Sequence, residues 1–329
     1  MSDNARWVRP LGSASADGWD VAIDTADDWT HTSLYAVTLA DGESRTVAAG
    51  EFERIVVPLS GSLSVGVVDP EGLSHDCALA GRDSVFAGPS DVAYATRDCE
   101  VTVTARGGTA TVAVCGARAA RRHTPPLRHV GVADVPVELR GAGSASREVR
   151  NFGTPGVLDA DSIIACEVIT PAGNWSSYPP HKHDEHRPGV ESELEEIYYF
   201  EVRATERSER DRTSEEEPAE GGPRSSGGRT AGEASRGFGY QRVYGTDERP
   251  IDVLAEVRSG DVVLVPHGWH GPAMAAPGYD LYYLNVMAGP GSGANDRAWL
   301  ICDDPAHGWV RDTWATQQVD PRLPFGGAQ

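Results

Sequence analysis

Three stretches decide how this chain folds: Pro179-Pro-His181-Lys-His183-Asp-Glu-His186, Leu194-Glu-Glu196-Ile-Tyr-Tyr-Phe200 and Gly260-Asp-Val-Val-Leu-Val-Pro266-His-Gly268-Trp-His270. In an extended strand the side chains at i and i+2 leave the same face, so His181 and His183 share a side while Lys182 points the other way. Glu196-Ile-Tyr-Tyr-Phe is β-branched and aromatic, as a strand should be, and presents a carboxylate at its mouth. The imidazoles of His181, His183 and His270 and the carboxylate of Glu196 can then converge from three extended segments that are neighbours in a small barrel. That combination is a mononuclear metal site. His186 falls off the His181–His183 face and His267 sits on a Pro-His-Gly turn, so both are weaker ligands.

Any one of these histidines alone is better explained as a surface or hydrogen-bonded core residue. The joint pattern is far rarer than its parts and reverses that preference. Three nitrogens and one oxygen suit zinc, manganese, iron, cobalt or nickel better than magnesium or calcium, because imidazole is a borderline ligand and no all-oxygen cage is offered. Residue types do not separate these metals.

Working outward, Phe238-Gly-Tyr240-Gln-Arg242-Val-Tyr244 reads as a strand with Tyr240, Arg242 and Tyr244 on one face, a polar and aromatic wall for a bound cation. The arginine fork matches a carboxylate in bidentate fashion, although an ion pair with one of the many acids explains Arg242 nearly as well. Tyr282 and Tyr283 alternate on a later strand, and parity with Asn285 selects Tyr283 as the inward hydroxyl; most tyrosines in such strands are simply core. Lys182 is the only lysine. Its parity fits an outward-facing strand residue as well as a catalytic one.

The chain has 329 residues, 40% of them hydrophobic, enough for one large or two ordinary domains with a buried core. A net charge of −20 argues against nucleic acid as a partner, since phosphate binding needs clustered Lys and Arg. No apolar run of signal-peptide length follows Met1-Ser-Asp-Asn-Ala-Arg. No stretch approaches the roughly 18 apolar residues of a spanning helix, so no membrane association is expected. Cys77, Cys99, Cys115, Cys166 and Cys302 are scattered and without Cys-x-x-Cys pairing, as in a cytoplasmic protein with reduced thiols.

The His-x-His, the following Glu and the Gly-x5-Pro-x-Gly-x-His run resemble the two motifs of the cupin superfamily. Asn174-Trp-Ser-Ser-Tyr-Pro-Pro-His-Lys-His-Asp, Leu194-Glu-Glu-Ile-Tyr-Tyr, Gln241-Arg-Val-Tyr, Gly260-Asp-Val-Val-Leu-Val-Pro and Gly278-Tyr-Asp-Leu-Tyr-Tyr-Leu-Asn-Val-Met-Ala-Gly together resemble the 5-deoxy-glucuronate isomerase family of myo-inositol catabolism. The tail Asp303-Asp-Pro-Ala-His-Gly-Trp-Val and Val319-Asp-Pro-Arg-Leu-Pro-Phe is similar too. The resemblance implies an all-β fold of two cupin-type jelly-roll barrels, a bicupin. It implies conversion of 5-deoxy-D-glucuronate to 5-dehydro-2-deoxy-D-gluconate, an aldose–ketose isomerisation. One divalent ion per chain would be held by His181, His183, Glu196 and His270, zinc ahead of manganese or ferrous iron. Arg242 would orient the carboxylate of the sugar acid, and Tyr283 or a metal-bound hydroxide would move the proton; a hydride shift would need no base. A homo-oligomer is compatible with this reading.

Two β-rich halves, about 1–125 and 126–329, meet near Arg118-Ala-Ala-Arg-Arg-His-Thr-Pro-Pro. In the first, Arg54-Ile-Val-Val-Pro-Leu-Ser-Gly61, Val101-Thr-Val-Thr-Ala and Thr109-Ala-Thr-Val-Ala-Val are strand-like, separated by Gly, Asp and Ser turns. Counting back from Gly61 puts Arg54 where a cupin has its carboxylate, no His-x-His precedes it, and no histidine follows Gly81-Arg-Asp-Ser-Val-Phe-Ala-Gly-Pro89 before Tyr94. The first barrel is therefore expected to be structural and without an ion. Between Val202 and Gly237 the chain is charged and rich in Ser, Gly and Pro, which cannot offset its ordering entropy by burial. This segment, about 203–237, reads as a disordered insertion at a hairpin tip.

Two other classes of function fit the same ligands. A bicupin ferrous dioxygenase would act on a small aromatic or keto acid, and a non-enzymatic sugar-binding cupin would need no chemistry at the ion.

Overall fold

The computed structural model describes residues 2–25, 29–205, 237–291 and 297–326. The expected all-β class is borne out: among the described residues α-helix is confined to Asn4–Trp7 and Val310–Thr313. The first half forms one eight-stranded sheet. Its order is Val21–Ile23, Thr32–Leu39, Glu100–Arg118, Phe52–Val68, Val92–Ala95 and Leu127–Val130, with Ser44–Val47 on Glu100–Arg118 and Ser74–Arg82 on Phe52–Val68. The two central strands are 17 and 19 residues long and slip register around Pro58–Ser62. Gly61, at φ 75°, lies at this point, and a Cβ there would stand 2.6 Å from the Thr109 carbonyl oxygen. Only glycine lets the two strands bend past one another so closely.

The second half forms two main sheets. A seven-stranded sheet runs Val8–Arg9, Val262–Val265, Glu195–Ala204, Tyr279–Ala288, Ile164–Thr170, Arg147–Gly153 and Val137–Arg140. A six-stranded one contains Asp252–Val257, Gly239–Tyr244, Trp269–Ala275, His181–Lys182 and Cys302–Asp303 in that order, with Trp175–Ser176 also on Trp269–Ala275. The short strand Val8–Arg9 thus completes a sheet of the far half. The strands flanking the charged insertion, Glu195–Ala204 and Gly239–Tyr244, lie in different sheets, so their connection is not a hairpin tip as expected. Both long strands pair with other partners instead. Residues 206–236 of that insertion lie outside the described residues.

Strand alternation sorts the apolar side chains into three cores. Ile55 and Val57 from Phe52–Val68, and Ile197 and Tyr199 from Glu195–Ala204, meet in a core shared by the two halves. Val56, Leu63 and Val65 fill the first barrel, while Tyr198, Phe200, Val243 and Tyr283 fill the second. Each fully buried side chain of this size contributes about 1.5–3 kcal/mol, so the shared core binds the halves firmly. Polar groups reinforce it. The buried Glu53 carboxylate accepts from the backbone N–H of Asp161, Ser162 and Ile163 at 2.6–2.9 Å and from the Tyr94 hydroxyl at 2.7 Å. The Arg82 guanidinium pairs with Glu167, which also accepts from the Tyr282 hydroxyl at 2.7 Å.

Candidate metal centre

His181 begins the two-residue strand His181–Lys182, which pairs with His270 at the start of Trp269–Ala275 on one side and Asp303 on the other. Gly271, at φ 102°, makes that approach possible, because a Cβ there would meet the Ser177 carbonyl oxygen at 1.9 Å. His183 follows two residues later, and Glu196 enters on the same interior face as Tyr198 of the neighbouring sheet. His183, Glu196 and His270 are 2%, 2% and 1% exposed. One ring nitrogen from each of His181, His183 and His270 lies within 4.8 Å of the others. Glu196 Oε2 stands 3.1 Å from Nε2 of both His183 and His270.

The free ring nitrogens all point inward, and hydrogen bonding sets the tautomers. Nδ1 of His183 faces the Leu194 carbonyl at 3.2 Å, Nδ1 of His270 the Gly268 carbonyl at 3.2 Å, and Nδ1 of His181 the Pro179 carbonyl at 3.5 Å. A carbonyl only accepts, so each Nδ1 carries a proton, the arrangement by which backbone groups orient metal-ligating imidazoles. Nε2 of His181 and His270 keeps its lone pair, while Nε2 of His183 is hydrogen-bonded to Glu196 Oε2 at 3.1 Å, a contact a bound cation would replace. Nε2 of His270 is buried and has no hydrogen-bond partner among the described residues; its approach to Glu196 lacks hydrogen-bond geometry. A buried orphan beside a carboxylate and two further imidazoles fits a divalent cation.

The charges agree. Burial, with His270 and His183 close by, pushes His181 well below its ordinary value and keeps it neutral. Burial works against charging His183, but the Glu196 carboxylate outweighs it and holds that imidazole above its ordinary value. Burial likewise disfavours the Glu196 anion, yet His270 and His183 overcome it and bring its pKa down to about 2. Glu196 is therefore an anion at neutral pH, as a ligand must be.

His181 and Glu196 open onto a cavity of about 480 Å³ whose wall also includes Tyr198, Tyr283 and Asn285, with His183 and His270 buried behind them. Tyr283 is on that wall, where strand parity puts it. Its hydroxyl donates to Ser176 Oγ at 2.9 Å and lies 3.1 Å from Ser177 Oγ. Burial raises its pKa to about 12. Lys182 points away, into the carboxylates of Asp184, Glu185 and Glu191 at 2.6–3.1 Å.

Arg242 is not brought to the site, and its expected role is corrected. Val243 fills the barrel, so Arg242, Tyr240 and Tyr244 leave the strand on the opposite face. Arg242 Nη1 donates to Asp252 at 2.6 Å and to the Val243 and Val253 carbonyls, and its guanidinium stacks 5.3 Å above Tyr244. The inward residue of that strand is Gln241, fully buried with both side-chain polar atoms unpartnered. His186 is exposed and His267 half-buried, both outside the imidazole group.

Sequence reasoning missed the far wall of the cavity, formed by Glu138, Arg140, Arg147, Arg311, Trp299 and Trp314. Their signal was slight. Arg147 and Val149 alternate with Glu148 and Arg150, but nothing local says which pair faces inward.

A model of the KduI/IolB family matches residues 7–310. A 5-deoxy-glucuronate isomerase of Geobacillus kaustophilus is 34% identical over 317 residues, covering 94% of this chain and 96% of that protein. One from Geobacillus thermodenitrificans is 43% identical over 202 residues, covering 61% of this chain and 59% of that protein. The crystal structure of an IolB-like protein from Salmonella typhimurium superposes with a TM-score of 0.73 at 31% identity, covering 92% of this chain and 98% of that one. Lactobacillus farciminis oxalate decarboxylase, at 11% identity and a TM-score of 0.56 over 90% of this chain and 88% of that one, shares the bicupin fold. No helix among the described residues is long and apolar enough to cross a membrane.

Proposed function

The chain belongs to the KduI/IolB family, and we propose on that premise that it is a metal-dependent isomerase converting 5-deoxy-D-glucuronate to 5-dehydro-2-deoxy-D-gluconate in inositol catabolism. The observation that supports the reading is the convergence of three imidazole nitrogens on the Glu196 anion, beside a cavity lined by His181 and Glu196. His181, His183, Glu196 and His270 would hold the ion, a donor set that suits zinc, manganese or ferrous iron. Bound there, a divalent ion supplies Lewis-acid polarisation of the aldehyde and spreads the negative charge that develops when the neighbouring proton leaves.

The chain's own residues supply the rest. The three Nδ1–H···O=C bonds keep the imidazoles aimed without rearrangement. Tyr283 stays protonated: at pH 7, with a pKa of about 12, roughly one molecule in 10⁵ carries the phenolate. Tyr283 is therefore a hydroxyl that holds a substrate oxygen rather than a general base. Asn285 Nδ2, buried without a partner, offers a further donor to a sugar hydroxyl. The first barrel, about residues 1–125, is read as structural. Five thiols, none paired, suit a cytoplasmic setting.

The relatives' shared name favours neither the dioxygenase nor the non-enzymatic reading. Incubation of the purified protein with 5-deoxy-D-glucuronate, followed by NMR of the aldehyde proton, tests the proposal. Conversion without oxygen uptake, lost on chelation and restored by added metal, is expected; no conversion by metal-replete protein would remove it.

A further inference from the structure

The cavity carries one positive charge that the fold does not answer. Arg147 opens the strand Arg147–Gly153 and shares its interior face with Val149; Glu148 and Arg150 leave the other face and pair at 2.7 Å in the shared core. Arg147 is 8% exposed. Its guanidinium lies 5.4 Å from the Trp314 ring and makes one hydrogen bond, to the Ala145 carbonyl at 3.1 Å. Among the described residues no carboxylate stands within ion-pair distance of it. Its two neighbours on the wall differ: Arg140 pairs with Glu138 at 2.9 Å, and Arg311 makes two bonds to Asp303.

An uncompensated buried guanidinium is unfavourable and persists where a ligand supplies the missing charge. Burial brings the Arg147 pKa down to about 10, which leaves it cationic at neutral pH. With Arg140 answered by Glu138 and Arg311 by Asp303, Arg147 is the cavity arginine left without a carboxylate, so an anionic group on a ligand is the complement it lacks. The guanidinium lies against the Trp314 ring, and its planar fork matches a planar carboxylate. Asn285 Nδ2, unpartnered and lining the same cavity, provides a further donor to a bound sugar.

We infer that Arg147 binds the carboxylate of the sugar-acid substrate and thereby sets the preference for uronic acids over neutral sugars. This rests on the isomerase reading above. It assigns to Arg147 the role that the sequence suggested for Arg242.

The test compares kcat/KM for 5-deoxy-D-glucuronate and its C6 carboxamide in the wild type, Arg147→Met and Arg147→Lys, on metal-replete protein with metal content measured. The wild type is expected to favour the acid by about 10²-fold. Arg147→Met should bring the two substrates to within about threefold, and Arg147→Lys, which keeps the charge but not the fork, should fall between. Both substrates are read on one preparation, so any unfolded fraction cancels from the ratio. An Arg147→Met ratio equal to that of the wild type, or a wild type that does not distinguish acid from amide, overturns the inference alone. A wild type that turns over neither substrate removes the isomerase reading and this inference with it.

Discussion

The two barrels place opposite charges at corresponding interior positions. Glu196, between Val265 and Met287 in the second barrel, faces Nε2 of His183 and His270 at 3.1 Å. Arg54, between Ala95 and Gly116 in the first, has the parity of Val56 and turns into a core without histidine. Its guanidinium donates to the carbonyls of Ala48 and Phe52 at 2.9 and 3.0 Å. A carboxylate among imidazoles suits a cation; a guanidinium whose Nη groups donate to carbonyls does not. We propose that one strand architecture thus serves as a binding site in the second barrel and as a structural element in the first.

The strongest way to break this comparison is to remove a ligand from the second barrel. In His183→Ala, turnover is expected to fall by at least about 10⁴-fold and elemental analysis should drop from one divalent ion per chain to none. A variant that retained both the ion and its turnover would overturn the assignment of His183 as a ligand.

The next largest effect concerns the contact between the barrels. Burial disfavours the Glu167 anion, but Arg82, with Arg150 and the Tyr282 hydroxyl, outweighs it and holds the carboxyl below its ordinary 4.5. A depressed carboxyl contributes stability that is present above pH 4.5 and lost as pH falls through the folded value. Glu167→Gln should therefore destabilise by about 3–5 kcal/mol at pH 7, since it strands the Arg82 charge, and differ less from the wild type below pH 4.5. Urea unfolding at pH 7 and pH 4 measures both; a gap that widened on acidification would contradict the sign.

A smaller effect is expected at Arg54. Arg54→Met leaves buried carbonyls without a donor, which should lower stability by about 1–3 kcal/mol, with turnover and metal content unchanged. Activity lost in proportion to metal would show that the first barrel holds an ion after all.

Much of the second barrel was legible because its signals are local. His181 and His183 are two residues apart, Glu196 lies in an aromatic strand, and His270 closes a Gly-Pro-Gly turn, so period-2 geometry fixes their directions with no knowledge of the whole. What failed was non-local. Tyr240, Arg242 and Tyr244 formed a persuasive polar face, but which face of a strand points inward depends on its partners, and Val243 was the weaker-looking clue that decided it. Arg147 was invisible for a related reason: its strand reaches the site only because the sheet order places Arg147–Gly153 beside Ile164–Thr170, three positions along the same sheet from the strand of Glu196. Glu53 and Glu167 read as ordinary acids in charged sequence, and only their burial between the halves reveals what they hold.

The smallest expected effect sharpens the comparison most, because it separates two arginines that sequence alone could exchange. Arg242 is paired with Asp252 at 2.6 Å, with both side chains partly open to solvent, and such exposed pairs contribute about 0–1 kcal/mol. Arg242→Gln should therefore change stability by less than about 1 kcal/mol and kcat/KM by less than about twofold, with the acid-to-amide preference intact. Loss of that preference in Arg242→Gln, together with its survival in Arg147→Met, would mean that the strand Gly239–Tyr244 presents its other face to the substrate, and the alternation that places Val243 in the core would have to be abandoned.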